Sequence, residues 1–288
     1  MKLSEKTKGI LLIICAAACF AGMSSMVRLS GDIPTMEKAL FRNLIASIVV
    51  LVPFLKEKTD MHLAPGAWKY VLLRAICGTI GLVLNFYAID RINLADANIL
   101  NKLSPVFAVV FSIFIIGERP KTFQVAMVIT ALIGAVFVVK PGGTSVPFLP
   151  GIAGFTGGLA AGLAYTLLRK AKLMGVPSNL IILCFSTLSV IVIAPFAAAN
   201  FVVPTLRQLI FLLLCGVFAA GGQIFITAAY AHAPAREISI YDYSQVIIAA
   251  ILGFFLFDQI PDIYSFIGYI IIIGSSLANF LYNKRTAA

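Results

Sequence analysis

The chain has 288 residues, of which 60% are hydrophobic and 12% are charged. So few charged side chains could not keep the surface of a soluble fold hydrated, and the composition therefore indicates a polytopic membrane protein. The net charge of +10 does not indicate nucleic-acid binding, because the Lys and Arg residues stand in short groups between apolar runs and form no basic stripe.

Ten apolar segments follow one another along the chain, and each is close to the roughly 20 residues that a helix needs to cross a bilayer. The predicted helices span residues 9–29, 36–55, 67–89, 94–117, 121–140, 149–169, 178–199, 206–230, 235–257 and 262–282. Alternate loops differ in their content of Lys and Arg, and both termini lie on the richer side. This pattern predicts a multi-pass protein of the cytoplasmic membrane with cytoplasmic N and C termini.

The two halves of the sequence match each other. Pro53-Phe54, for example, aligns with Pro195-Phe196 at a shift of 142 residues. The duplication predicts a first repeat at 1–142, with helices one to five, and a second at 143–288, with helices six to ten. Because five is an odd number, the second repeat must enter the membrane in the opposite orientation. The predicted fold class is all-α integral membrane, with ten transmembrane helices arranged as two inverted five-helix repeats.

The fourth segment carries polar residues where lipid would disfavour them. Asn98, Asn101, Lys102 and Pro105 recur at helical spacing and form one stripe. Pro105 has no N–H to donate to the carbonyl of Asn101, so we expect a kink beside Lys102. A lysine inside a membrane helix costs roughly 2.5–3.5 kcal/mol and suggests a functional site. The alternative is a kinked packing helix in which Lys102 pairs or snorkels for architecture alone.

The second repeat supplies a partner for this lysine. At a shift of 140 residues the stripe becomes Ile238, Tyr241, Asp242 and Gln245. Lys102 and Asp242 therefore occupy related positions, which predicts a salt bridge across the pseudo-two-fold axis. We expect the pair to contact substrate or to gate. Asp242 is the better candidate proton carrier, since an apolar setting favours the neutral form of a carboxyl group.

Four more polar residues are candidates for substrate binding. Arg42 and Arg74 are the other cations within segments, with snorkelling to an interface as the alternative for each. Tyr165 and Gln223 lie on glycine-containing segments and could point inward. If all three cations lined one cavity against Asp242, the charge balance would favour an anionic or zwitterionic solute.

The sequence offers little material for catalysis or metal binding. Its five cysteines lie inside apolar runs at no metal-ligand spacing, and its two histidines, His62 and His232, fall in predicted loops. The HExxH, GxxxxGK[ST] and GxSxG motifs do not occur. We therefore expect no enzyme activity, no cofactor and no metal site.

Several motifs carry a family resemblance. They are Leu94-Ala95-Asp96-Ala97, Ser104-Pro105-Val106-Phe107, Gly117-Glu118-Arg119, Gly134 and Val138-Val139-Lys140-Pro141-Gly142. With them, nearly the whole chain resembles the drug/metabolite transporter (DMT) superfamily, and within it the EamA-type carriers with two EamA repeats. Arg42 in Phe41-Arg42-Asn43 looks like the arginine that these carriers commonly place in the second helix. Gln245 stands where the family pattern has a proline, so we expect a straighter ninth helix.

The third segment indicates which carriers of the superfamily the chain resembles most. Leu73-Arg74 through Gly78, followed by Asn85-Phe86-Tyr87-Ala88, looks most similar to carriers of riboflavin, S-adenosylmethionine or carboxylates.

These features predict a secondary transporter of a small organic metabolite that works by alternating access about a midplane cavity. The substrate classes that we consider are amino-acid-like, carboxylate-like and nucleoside- or vitamin-like. The alternative function is a passive channel or a lipid-handling membrane protein. We expect a small-molecule substrate and membrane lipid as partners, proton or exchange coupling, no nucleic acid, and a monomer or homodimer.

Overall fold

The structure, a computed structural model, describes residues 4–56, 64–117, 119–140, 148–232 and 238–286. Across these ranges the chain is helical, with short turns and no β-strand. Three features of the sequence argument lie outside the described residues, namely His62, Glu118 and the repeat boundary with Pro141-Gly142.

Ten helical segments build the fold. In chain order the helices are α1 (Glu5–Leu29), α2 (Thr35–Lys56), α3 (Ala67–Ile89), α4 (Leu94–Asn101), α5 (Ser104–Ile115), α6 (Thr122–Val139), α7 (Phe148–Leu173), α8 (Ser178–Ala199), α9 (Leu206–His232), the 3₁₀ helix η1 (Ser239–Tyr243), α10 (Ser244–Phe257) and α11 (Ile263–Thr286). In the described part of the chain, nine stretches are long and apolar enough to cross a membrane; α4–α5 and η1–α10 each count as one. The remaining helix, α2, carries charged residues in its first half, and with it the segments number ten, as predicted.

Local sequence signals set the helix ends. The hydroxyl of Ser4 accepts a hydrogen bond from the Thr7 N–H at 3.2 Å and caps the start of α1. At the end of α7, Gly175 adopts a φ of 82°, and the Val176 N–H bonds back to the Ala171 carbonyl at 3.1 Å. That left-handed conformation favours glycine, and it lets the chain turn at once into α8.

The fourth segment is interrupted near its middle, and the described part of the ninth segment begins with a 3₁₀ turn. α4 ends at Asn101 and α5 begins at Ser104, with Pro105 in its first turn, so the expected kink is a complete break. In the ninth segment η1 precedes α10, so its described part is not one regular α-helix; the straighter ninth helix stays a prediction. The Tyr243 hydroxyl in η1 donates to the Lys102 carbonyl, at the break between α4 and α5, at 3.1 Å. This contact stabilises η1, although the ninth segment has no proline at the position of Gln245.

Helices of the two repeats pack against each other in symmetric pairs. The first helix of each repeat packs on the third helix of the other, the second helices pack together, and so do the fifth. The pairs are α1 with α9, α3 with α7, α2 with α8, and α6 with α11. A pseudo-two-fold axis that relates inverted repeats produces this exchange, and it leaves the two broken segments facing each other at the centre.

Glycines allow α7 to approach its neighbours closely. A Cβ atom on Gly81 of α3 would lie 3.1 Å from the Gly157 carbonyl oxygen of α7. On another face of α7, a Cβ on Gly162 would lie 2.7 Å from the Ser104 carbonyl oxygen and 2.5 Å from the Phe107 Cβ. Small residues at such crossings permit backbone contact between membrane helices. α7 is thereby fixed against both α3 and the start of α5.

We predict that Gly162→Ala lowers the thermal stability of the purified protein in detergent. The added methyl group meets backbone atoms of α5 that cannot move independently, and overpacking of this kind costs about 1–3 kcal/mol. Gly274→Ala is the matched control, because a Cβ on this helical glycine of α11 meets nothing within 4 Å. That control should be neutral or should stabilise by up to about 1 kcal/mol through helix propensity. Equal melting temperatures for the two variants would contradict the proposed close approach.

Candidate functional site

A cavity of about 920 Å³ lies between the two repeats. Asn101, Lys102, Asp242 and Tyr243 line its part near the helix breaks, and Arg119 lines its far part beyond α5. The cavity thus runs from the centre of the bundle toward one end of it. Its volume lies in the range of roughly 300–1,000 Å³ that is usual for small-molecule sites.

An ion pair between the repeats stands at the central end of this cavity. Lys102 Nζ lies 2.5 Å from Asp242 Oδ2, and the two side chains keep 12% and 21% of their surface exposed. The salt bridge that the repeat alignment predicts is therefore formed. Asp242 Oδ1 is buried and has no hydrogen-bond partner, which leaves one acceptor of the pair unused. The pair is accessible from the cavity, yet each charge has its counterion.

The two helix breaks are also joined through Tyr243. Its hydroxyl bonds to Ser276 Oγ of α11 at 2.6 Å, in addition to the Lys102 carbonyl. The carbonyl of Lys102 would otherwise lack a helical donor at the end of α4. Tyr243 therefore ties α4, η1 and α11 together beside the ion pair.

Asn98 and Gln245 bind each other and do not line the cavity. Gln245 Nε2 donates to Asn98 Oδ1 at 2.5 Å, and the Ser24 hydroxyl donates to the same oxygen at 3.2 Å. Asn98 Nδ2 donates to the Leu94 carbonyl at 2.7 Å. Both side chains are buried, with 1% and 7% of their surface exposed. They form a polar contact between repeats behind the ion pair.

Beyond Asn98 the bundle is closed by further polar contacts at the end opposite the cavity. Lys38 bonds to Asp90 at 2.7 Å, and Lys140 bonds to Asp262 at 2.6 Å. Burial raises the pKa of Asp90, and Lys38 only partly offsets this effect. Burial also acts on Asp262, but hydrogen bonds from the Lys140 ammonium and the Ser265 N–H outweigh it and lower its pKa. The Lys140–Asp262 pair is therefore an ionised contact between α6 and α11.

Of the two tyrosine candidates, only one lies at the cavity. Tyr165 lines the cavity and keeps 50% of its side chain exposed there, although α7 is an inner helix. Tyr241 is 40% exposed but does not line the cavity, so the structure does not bring it to the other candidates.

The two arginine candidates and Gln223 do not join this cavity. They line a separate, much smaller pocket between α2, α3, α8 and α9. Arg42 is 5% exposed and Arg74 is 8% exposed, so neither snorkels to an interface. The condition that three cations line one cavity against Asp242 is therefore not met.

Two features of the sequence analysis need correction or addition. His232 is not in a loop but ends α9, where its Nδ1 bonds to Glu5 Oε2 of α1 at 2.7 Å. A polar stripe of α11 along the cavity was not predicted from the sequence. It consists of Ser275, Ser276, Asn279 and Asn283. Their helical spacing in an otherwise apolar segment is a signal that could have identified them.

The described residues contain no cluster of three His, Cys, Asp or Glu side chains that could hold a metal ion. The cavity lining combines amides, hydroxyls, the ion pair and two arginines with apolar side chains such as Val109, Ile226 and Phe280. A mostly apolar lining with a few polar groups is usual for small-molecule sites.

Comparison with known proteins gives matches over nearly the whole chain. Residues 7–140 and 149–281 each match the EamA-like transporter family. The pseudopaline exporter CntI of Pseudomonas aeruginosa is 29% identical over 280 residues, which cover 96% of this chain and 98% of the exporter. The S-adenosylmethionine uptake transporter of Rickettsia bellii is 25% identical over 256 residues, which cover 88% and 86% of the two chains.

More distant similarities extend to eukaryotes and to solved structures. Human solute carrier family 35 member G1 is 24% identical over 288 residues, which cover 93% of this chain and 78% of that protein. One protein of known crystal structure is 17% identical, with a TM-score of 0.65 and coverage of 98% and 99% of the two chains. That structural likeness supports the fold.

We predict that Asn98 and Gln245 are energetically coupled. Gln245→Ala removes a buried donor and should lower the free energy of unfolding by about 1–3 kcal/mol. In a double-mutant cycle with Asn98→Ala, measured by denaturant unfolding in detergent, the coupling energy should be about 0.5–3 kcal/mol. Gln124→Ala serves as the control, because Gln124 bonds to Asn283 elsewhere in the bundle and should combine additively with Asn98→Ala. Additive effects of Asn98→Ala and Gln245→Ala would contradict the coupling.

Proposed function

The chain belongs to the EamA-like transporter family, and we propose that it is a secondary transporter of a small organic metabolite that works by alternating access. The observation that carries this proposal is the Lys102–Asp242 pair at the central end of a cavity between inverted repeats. Charges inside membrane proteins mark substrate and ion pathways, and carriers with inverted repeats bind their substrates near the midplane.

The two ends of the bundle support the alternating-access part of the proposal. One end is open along the cavity, and its lining includes Arg119 and Arg169 from the side that is richer in Lys and Arg. The other end is closed by the Lys38–Asp90 and Lys140–Asp262 pairs. With cytoplasmic termini, this arrangement is an inward-open state. Transport would then require these two ion pairs to separate while the cavity closes around the breaks.

The charges at the cavity end favour an amino-acid-like, zwitterionic solute among the predicted classes. A solute carboxylate could replace Asp242 at Lys102, and a solute ammonium could replace Lys102 at Asp242. Asn101 and Tyr165 line the cavity beside them and offer hydrogen bonds to neutral parts of the solute. Such a ligand replaces the Lys102–Asp242 contact with two contacts, one to each of these residues, so both protein charges stay compensated when it binds. A proton on Asp242 would neutralise its carboxylate and would thereby also free the Lys102 ammonium from the ion pair.

A relative supports this choice of solute class. The Rickettsia bellii protein is named for S-adenosylmethionine, a molecule with an amino-acid group. S-adenosylmethionine is therefore the first solute to test with this chain.

We predict that proteoliposomes containing the protein perform counterflow. Vesicles preloaded with unlabelled S-adenosylmethionine should take up labelled S-adenosylmethionine faster than empty vesicles, because a carrier returns more quickly when it is loaded. Parallel assays with a neutral amino acid and with a dicarboxylate cover the other solute classes. A passive channel would show uptake without stimulation by internal solute. Unstimulated uptake of every solute that enters would contradict the carrier mechanism.

We also predict that Asp242→Asn and Lys102→Gln each slow counterflow at least roughly tenfold, which corresponds to about 1.4 kcal/mol. Each variant leaves one charge without its counterion, and Asp242→Asn should in addition lose the pH dependence of transport. Lys8→Gln is the control, because it removes a lysine from an exposed ion pair with Glu5 at the end of α1. The double variant Lys102→Gln with Asp242→Asn should recover stability without recovering transport. Wild-type rates and pH dependence in Asp242→Asn would contradict its proposed role.

A further inference from the structure

The smaller pocket contains two buried arginines. It lies where α2, α3, α8 and α9 cross, and Arg42, Arg74, Phe185, Ser186 and Gln223 are among its lining residues. Its volume is about 10 Å³, so it is far smaller than the large cavity. The pocket is separate from the large cavity, because the two have no lining residue in common.

Neither guanidinium has an acidic partner. No carboxylate of the described residues lies within 4.0 Å of Arg42 or Arg74, whereas Lys38, Lys102 and Lys140 each have one. Arg42 Nη1 donates to Asn43 Oδ1 at 2.6 Å. The Nε atoms of both arginines and Nη1 of Arg74 are buried without any hydrogen-bond partner. Two like charges with open donors in one buried site are costly unless a further group compensates them.

The surroundings hold these guanidinium groups in place. The Phe185 ring centroid lies 4.0 Å from Cζ of Arg74 and 5.8 Å from Cζ of Arg42, so one aromatic face attracts both cations. Gly78, one turn after Arg74, leaves the necessary space. A Cβ atom there would lie 2.7 Å from Arg74 Nη1 and 2.9 Å from the Phe185 ring. The arginines are therefore fixed before any ligand arrives.

The repeat alignment explains why no residue in the described part of the second repeat supplies a countercharge. At the shifts of 142 and 141 residues that apply to these helices, Arg42 aligns with Cys184 and Arg74 aligns with Cys215. The first repeat thus contributes two cations to this crossing, and the related positions of the second repeat are neutral. This differs from the large cavity, where Asp242 of the second repeat balances Lys102 of the first.

We propose that Arg42 and Arg74 bind one small anion, either a halide or a carboxylate group. Guanidinium groups match carboxylates through paired N–H donors, and their positive charge also attracts a monatomic halide. A carboxylate could belong to a solute in the large cavity, since Tyr165 of α7 lines that cavity and α7 packs against α3, which carries Arg74. A free halide would instead occupy the pocket without contact with the cavity.

The test measures thermal unfolding of the detergent-purified protein in a sodium HEPES background, which contains neither a halide nor a carboxylate. Chloride, formate or propionate is added at constant ionic strength. We expect a saturable rise in Tm of roughly 5 °C when the anion exceeds its Kd a hundredfold. Stabilisation by chloride and formate alone indicates a free-anion site. Stabilisation that persists with propionate indicates a carboxylate whose tail extends toward the cavity. A Tm that responds to none of the three anions overturns the proposal.

Variants separate ligand binding from a structural role. Arg74→Gln removes one uncompensated charge, so its Tm in HEPES should equal or exceed that of the unaltered protein, and its rise with anion should be lost. Arg91→Gln is the matched control, because Arg91 also lies over an aromatic ring, that of Tyr87, but is exposed. It should keep the full anion response. If Arg74→Gln does not fold, Gly78→Ala, which displaces the guanidinium and keeps its charge, should raise the Kd for anion at least tenfold.

An anion response that is undiminished in Arg74→Gln or in Gly78→Ala overturns the assignment to this pocket. None of these measurements uses transport, so their failure is distinct from a failure of the proposed transport function.

Discussion

The Lys102–Asp242 ion pair is the interaction on which the centre of this structure depends. A lysine within the membrane is tolerated at a lower cost when a counterion lies next to it, and here that counterion comes from the other repeat. The pair stands where both segments depart from a regular α-helix, at the break after Asn101 and at the 3₁₀ turn η1. Tyr243 supplies a donor to the Lys102 carbonyl that the break leaves free.

The helices of the two repeats pack in symmetric pairs around the ion pair. Their backbones are related by the pseudo-two-fold axis, but their side chains differ. α7 contacts both α3 and the α4–α5 segment through glycines. Its position therefore determines where the break between α4 and α5 lies relative to α3. Two ion pairs, Lys38–Asp90 and Lys140–Asp262, close one end of the bundle. The other end has the cavity, together with polar contacts such as Glu5–His232 and Gln124–Asn283. A bundle of this kind has two related arrangements of its halves, and side-chain chemistry decides which of them is populated.

The two polar sites at the repeat interface differ in how their charge is balanced. The large cavity has one charge from each repeat, and these compensate each other without a ligand. The Arg42–Arg74 pocket has two charges from the first repeat and no acid within reach among the described residues, so its compensation must come from elsewhere. Duplication followed by divergence explains both patterns, since each repeat could change one member of a related pair independently. The two sites therefore differ in whether a ligand is needed to balance their charge.

The sequence by itself determined the membrane class, the ten segments, the inverted duplication and the pairing of Lys102 with Asp242. These follow from hydropathy, from segment length and from alignment of the two halves, all of which are properties of the linear chain. Only the tertiary structure decided which polar side chains share a site. The stripe from Asn98 to Pro105 predicted one common face, but the break after Asn101 interrupts the helical phase, so Asn98 turns toward Gln245 while Lys102 faces the cavity. Helical spacing shows which residues lie on one face, whereas rotation and crossing of the helices decide what that face meets, and this separated Arg42 and Arg74 from the cavity.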